Sequence, residues 1–153
     1  MATKTPEQLL KDLDNRDVDV RRSAAMNRSA TPEVLMKALE DKKYVKIREA
    51  AADHPNATPE ILLKAMKDKA WEVRYDAAGN PNATPEIMLK AIRDRSVRVR
   101  RHATRNPNAT AEVLLKGIED RNGTVLWAAK VRLKNDPILQ LQVAVLKAQK
   151  VAS

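Results

Sequence analysis

The sequence predicts an all-α fold, a solenoid of five two-helix repeats closed by a terminal helix. Three observations predict it. The chain repeats itself: Thr5-Pro6-Glu7, Thr31-Pro32-Glu33, Thr58-Pro59-Glu60, Thr84-Pro85-Glu86 and Thr110-Ala111-Glu112 open five copies spaced 26, 27, 26 and 26 residues apart. Self-similarity at such a period marks stacked supersecondary units. Apolar residues inside each copy recur with a helical period. Asn-Pro-Asn or a variant of it separates successive copies and stops a helix. The copies run 5–30, 31–57, 58–83, 84–109 and 110–136, followed by a cap helix over 137–153, and together they make one domain over 1–153.

Each element has its own reason. Thr is a good N-cap because its hydroxyl accepts from an orphan N–H, Pro suits the first helical position, and Glu favours the positive end of the helix dipole. A first helix therefore starts at every repeat-opening Thr. In the third copy Ile61, Leu62, Ala65 and Met66 give it one buried face. The charged turn Lys67-Asp68-Lys69 follows, and Val73, Ala77 and Ala78 give a second helix an edge of small residues that permits close packing. Trp71 replaces Val18, Val45 and Val97 of the other copies, so it is read as core and expected to be buried. After the fifth copy, Asp136-Pro137 opens Ile138, Leu139, Leu141, Val143, Val145 and Leu146, read as a terminal helix over the last core layer. The first copy has no such cover before it and relies on Asp12, Asp14, Asp17 and Asp19 for solubility, so a further N-terminal region is an open expectation.

Composition bounds the chemistry. With 43% hydrophobic and 32% charged residues the 153-residue chain is apolar enough to fold. The absence of Cys excludes disulfides, thiolate metal sites, iron–sulfur clusters and cysteine nucleophiles, and two His leave little for zinc. No cofactor or metal is expected. The N-terminus lacks an apolar signal core and no stretch approaches the roughly 18 apolar residues of a membrane span. The expectation is a soluble, cytoplasmic protein with no membrane partner.

The order Pro-Glu, Leu-Leu, Asp, Val-Arg, Ala-Ala, Asn-Pro-Asn-Ala-Thr-Pro resembles the leucine-rich repeat variant proteins and, more distantly, the HEAT and armadillo α-solenoids, over residues 5 to 133. The resemblance implies a right-handed superhelix and a surface used for binding, although fold analogy does not fix function. Two departures matter. The family's association with an N-terminal cysteine-ligated cluster is impossible here, and the second segments are long enough for regular α-helix, which moves the chain towards HEAT-like geometry.

Arg21, Arg48, Arg74 and Arg100 share one repeat position. Their guanidinium forks suit phosphate, but an acidic position shortly before, Asp68 and Asp94 with Asn15 and Asp41 nearby, favours a structural Asp/Arg ladder between stacked copies, as the HEAT resemblance also implies. Leu126 takes the Arg position in copy five. A second row, Lys11, Lys37, Lys64, Lys90 and Lys116, reads as a solvated helix flank in preference to a polyanion track. His54 stands where Asn27, Asn80 and Asn106 stand, so it is read as a capping residue and not as a ligand or base. The sequons at Asn56, Asn82 and Asn108 are by-products of turn and N-cap chemistry.

The charge of +9 is unevenly placed. Residues 84–109 carry seven basic and two acidic side chains, residues 110–153 seven and four, and the first three copies are balanced. Arg98, Arg101 and Arg105, with His102 beside them, form one stripe on the second helix of copy four. The stripe varies most among copies: at the place of Arg101 stand Arg22, Glu49, Tyr75 and Trp127, and at the place of Arg98 stand Asp19, Lys46, Glu72 and Thr124. In HEAT-type solenoids the second helices usually line the concave side, so these residues are candidates for a groove, with Tyr75 and Trp127 as aromatic anchors. For Trp127 burial under the terminal helix is an equal alternative.

Three functions are compatible with these residues. The leading one is a non-catalytic scaffold that holds a protein partner, acidic or extended, along the groove. The alternative is sequence-nonspecific nucleic-acid backbone binding through Arg98, Arg101, Arg105 and Lys90, with Lys130, Arg132 and Lys134, although no base-reading motif is present. The third is an enzyme: some HEAT-like proteins act on damaged bases, and Tyr75, Asp76, Arg101 and Trp127 can be assembled into that picture without support from their spacing. The expectation is therefore no enzyme and no small-molecule substrate.

Overall fold

Each repeat-opening Thr becomes a helix N-cap. The structure, a computed structural model, describes residues 4–153; residues 1–3, the start of the 1–153 unit, lie outside the described residues. The helices in chain order are α1 (Pro6–Asp12), α2 (Val18–Ala25), α3 (Pro32–Ala38), α4 (Val45–Asp53), α5 (Pro59–Ala65), α6 (Trp71–Gly79), α7 (Pro85–Ala91), α8 (Val97–Arg105), α9 (Ala111–Ile118), α10 (Gly123–Lys134) and α11 (Pro137–Ala152). No strand occurs among the described residues, so the fold is all-α.

The hydroxyls of Thr5, Thr31, Thr58, Thr84 and Thr110 accept from the backbone N–H of Gln8, Val34, Ile61, Ile87 and Val113. That bond satisfies one donor of the first turn and fixes where each odd-numbered helix starts. The even-numbered helices are regular α-helix of eight to twelve residues. Before α6, α8 and α10 a turn aspartate organises the entry, as when Asp68 accepts from the Ala70 N–H at 2.8 Å and Asp94 from that of Ser96 at 2.8 Å.

The helices form two rows. From α4 onward each even helix packs on the even helix before it and on the odd helix it follows, while α1, α3, α5, α7, α9 and α11 pack in succession. Leu9, Leu35, Leu62, Met88 and Leu114 from the odd row and Ala25, Ile47, Val73, Val99 and Val125 from the even row belong to one buried cluster. Alanines on the even helices, Ala51, Ala52, Ala77, Ala78 and Ala103, are fully buried and let the helix axes approach closely. The terminal α11 covers this cluster with Val143, Leu139 and Leu146.

Two sets of side chains tie the copies together. Arg21, Arg48, Arg74 and Arg100 donate from Nε to the carboxylates of Asp41, Asp68, Asp94 and Asp120 at 3.0, 2.7, 2.7 and 2.7 Å, each twenty residues on in the next copy. The Nη1 atoms of the same arginines donate to backbone carbonyls of their own turn, as Arg74 does to Asp68 at 2.8 Å. On the opposite turn Asn80 donates from Nδ2 to the carbonyls of Ala52 and His54, and Asn106 to those of Ala78 and Asn80. Asn56, Asn82 and Asn108 repeat this towards the turn before. The sequence alone marks these asparagines only as local helix stops. Their bonds across copies need the stacked arrangement and have no local signature.

Trp71 is not buried as its place in the repeat predicts: it packs on the core but is only half-buried. The indole is larger than the valines it replaces, so it reaches out along the start of α6 and meets Arg98.

Candidate functional site

The even-helix face carries the residues that vary among copies. Trp71 and Tyr75 lie one turn apart on α6, and Arg98 and His102 one turn apart on α8, so the two pairs meet side by side. The Arg98 guanidinium lies 4.5 Å from the Trp71 ring centroid, and the His102 ring stacks on Tyr75 with centroids 3.9 Å apart. Trp71 meets Tyr75 edge-on at 6.1 Å. His102 donates from Nδ1 to the Tyr75 carbonyl at 2.9 Å, the only direction open to a carbonyl acceptor, which leaves Nε2 as the acceptor of the neutral ring. Burial lowers the His102 pKa, the Tyr75 carbonyl opposes this, and Arg105 and Arg101 lower it further.

Gly79 makes room for that ring. A Cβ there would stand 2.1 Å from His102 Cε1. By register Met26 and Arg105 stand opposite the small Ala50 and Ala128 and Asp53 opposite Asp76, so Gly79 opposite His102 is a matched pair that a position-by-position comparison of copies contains. Gly79→Ala should destabilise by about 1 kcal/mol, since losing the His102 hydrogen bond and stack outweighs the gain in helix propensity. In a His102→Ala background the same change should stabilise by about 0.5–1 kcal/mol. Denaturant midpoints of the four proteins check this, and one sign in both backgrounds would refute it.

Beside the stack the face turns acidic. Two open clefts of about 330 and 380 Å³ meet at Lys46, Glu49 and Asp76. Lys46 pairs with Glu49 at 2.7 Å. Asp76 is pushed up to about 7, by burial first and then by Asp53 and Glu49, with Lys46 opposing and Glu72 adding to the repulsion. Its position holds Ser23, Ala50, His102 and Ala128 in the other copies, so a carboxylate there is unusual for the repeat. A folded-state pKa raised above the ordinary carboxylate value means the native state binds the proton more tightly, and stability declines as pH rises from about 4 to 7. Asp76→Asn should therefore raise the denaturant midpoint fully above pH 7 and leave it nearly unchanged below pH 4. Midpoints that differ equally at pH 4 and pH 8 would show that Asp76 is not held neutral by its surroundings.

The structure brings Tyr75, Arg98, Arg101 and His102 onto one surface. Arg98 and Arg105 are exposed, Arg101 is partly so, and none of the three forms an ion pair among the described residues. Trp127 is 58% exposed on α10, and α11 does not cover it. The Arg48, Arg74 and Arg100 guanidiniums are each shared between an aspartate and a turn carbonyl. Of the Lys row, Lys37 reaches Asp14 and Lys64 reaches Glu40, both in the copy before. His54 accepts at Nδ1 from the Asn56 N–H and faces the Asn27 carbonyl through Nε2, copying what an asparagine does at this turn. No group of His and acidic side chains with metal-binding geometry occurs among the described residues. No helix among them is long and apolar enough to cross a membrane.

Comparison with protein-family models gives no match, and neither does comparison with curated proteins.

Proposed function

We infer that this chain is a non-catalytic binding scaffold. In this reading the two helix rows are a right-handed α-solenoid of five repeats of about 26 residues, capped by α11, and the even-helix face is its concave side. A protein partner, acidic or extended, lies along that face and is held by Arg98, Arg101 and Arg105 with Tyr75 and Trp127. One observation carries the reading: core, N-caps and both inter-copy ladders recur from copy to copy, whereas the even-helix surface differs in every copy. A face relieved of structural duty and free to vary is what recognition uses.

The nucleic-acid alternative draws on the unpaired arginines of α8 and the basic excess of residues 84–153. Glu49, Asp53, Glu72 and Asp76 stand against it, because they place carboxylates on the same face where a phosphate backbone would continue. An extended protein segment, acidic where it meets the α8 arginines, suits such a surface better. The test is a pulldown from lysate, with and without nuclease, comparing the parent with an Arg98/Arg101/Arg105→Ala variant. Nuclease-resistant capture that the variant loses supports the protein reading, and capture that nuclease abolishes supports the alternative.

A further inference from the structure

We propose that the surface where α10 meets α11 docks an acidic amphipathic helix of a partner protein. This goes beyond the binding face described above and shares none of its residues. The packing rule of the molecule points to a helix: every even helix from α4 onward lies against the even helix before it and the odd helix it follows. The next position built by that rule lies against α10 and α11. Among the described residues no helix packs there, and a cleft of about 530 Å³ opens, floored by Ile118, Leu126 and Leu133 and rimmed by Lys130, Lys134 and Lys147.

Charge specifies the occupant. The three lysines are exposed and none forms an ion pair among the described residues. The nearby carboxylates are already engaged, Glu119 by Lys150 at 2.9 Å and Asp136 by Arg132 at 3.7 Å. No acidic side chain lines the cleft. Lys130 and Lys134 lie one helical turn apart on one wall and Lys147 stands on the other, so they match carboxylates spaced along a helix and not one anionic headgroup. Leu126 occupies the ladder-arginine position and contributes an apolar side chain to the floor where the other copies carry a guanidinium. An apolar floor between basic walls suits the apolar face of an amphipathic helix with acidic flanks.

A second copy of the chain is a poorer occupant. Meeting face to face it would oppose the same lysines, and stacked head to tail it could not extend the ladder, since Leu126 ends it on one side and Asn15 on the other.

The test uses fluorescent peptides of about 16 residues, long enough to hold a helix, with Leu on one face and either Glu or Lys flanking it. Fluorescence anisotropy should show the Glu peptide binding and the Lys peptide not. Lys130/Lys134/Lys147→Glu should weaken the Glu peptide at least about ten-fold and admit the Lys peptide. Leu126→Asp should remove binding of the Glu peptide to the parent and of the Lys peptide to the charge-reversed variant, with circular dichroism unchanged. The Arg98/Arg101/Arg105→Ala variant should bind the Glu peptide like the parent, which separates this proposal from the reading of the even-helix face. The proposal is overturned if the Glu peptide does not bind, if charge reversal leaves its affinity unchanged, or if sedimentation shows a dimer that Leu126→Asp dissociates.

Discussion

Arg74→Ala is expected to destabilise the fold by about 3 kcal/mol, against less than about 0.5 kcal/mol for Arg101→Ala. Both lose a guanidinium from an even helix, so the contrast isolates what surrounds it. The Arg74 and Asp94 side chains are 5% and 8% exposed. Arg74 donates twice to the Asp94 carboxylate, at 2.7 and 2.9 Å, and twice to turn carbonyls, of Asp68 and Lys69. Removing it strands a carboxylate that keeps only the Ser96 N–H at 2.8 Å from its turn, and uncovers two carbonyls. Burial alone would raise the Asp94 pKa, but hydrogen bonds from Arg74 and Ser96 hold it below the ordinary carboxylate value. The stability linked to that lowered pKa is present above about pH 4 and disappears as pH falls through the folded value, so the penalty of Arg74→Ala should shrink on acidification. Urea midpoints at pH 7 and pH 3 measure both effects. In a double-mutant cycle Asp94→Ala should cost much less once Arg74 is gone. Equal effects of Arg74→Ala and Arg101→Ala would mean that the buried pair is not what joins copies three and four.

The second large effect is on binding. Arg98/Arg101/Arg105→Ala should cut partner affinity by a hundred-fold or more if two of the arginines are anchors worth about 2 kcal/mol each. Folding should be almost untouched, because none of the three takes part in the ladder and only Arg98 has an aromatic partner, Trp71. With a protein partner the loss concentrates at one or two anchors, and Tyr75→Ala hurts as much as any arginine because it also releases His102 from its stack. With nucleic acid the loss is similar for all sequences, and the salt dependence flattens by roughly 0.9 per phosphate contact removed. A triple variant that remains folded and binds every parent partner equally well would remove the even-helix face from consideration.

Local chemistry repeated along the chain made much of the architecture legible beforehand. Thr before Pro-Glu specifies a helix start through bonds made within one turn, and the alternation of Leu-rich and Ala-rich helices specifies which sides are apolar. The +9 charge and its concentration in residues 84–153 are likewise properties of the sequence alone. Apart from the Asp/Arg ladder, which the repeated positions announce, tertiary structure decided what depends on a neighbour from another copy. It turned Asn80 and Asn106 from helix stops into bridges, matched Gly79 to His102, brought Trp71 out under Arg98, and left Trp127 uncovered. It also surrounded Asp76 with Glu49, Asp53 and Glu72, carboxylates that the sequence reading did not bring together. The physical reason is distance: caps and turns are written within about four residues, whereas these contacts join side chains that only the spacing of stacked helices brings into reach.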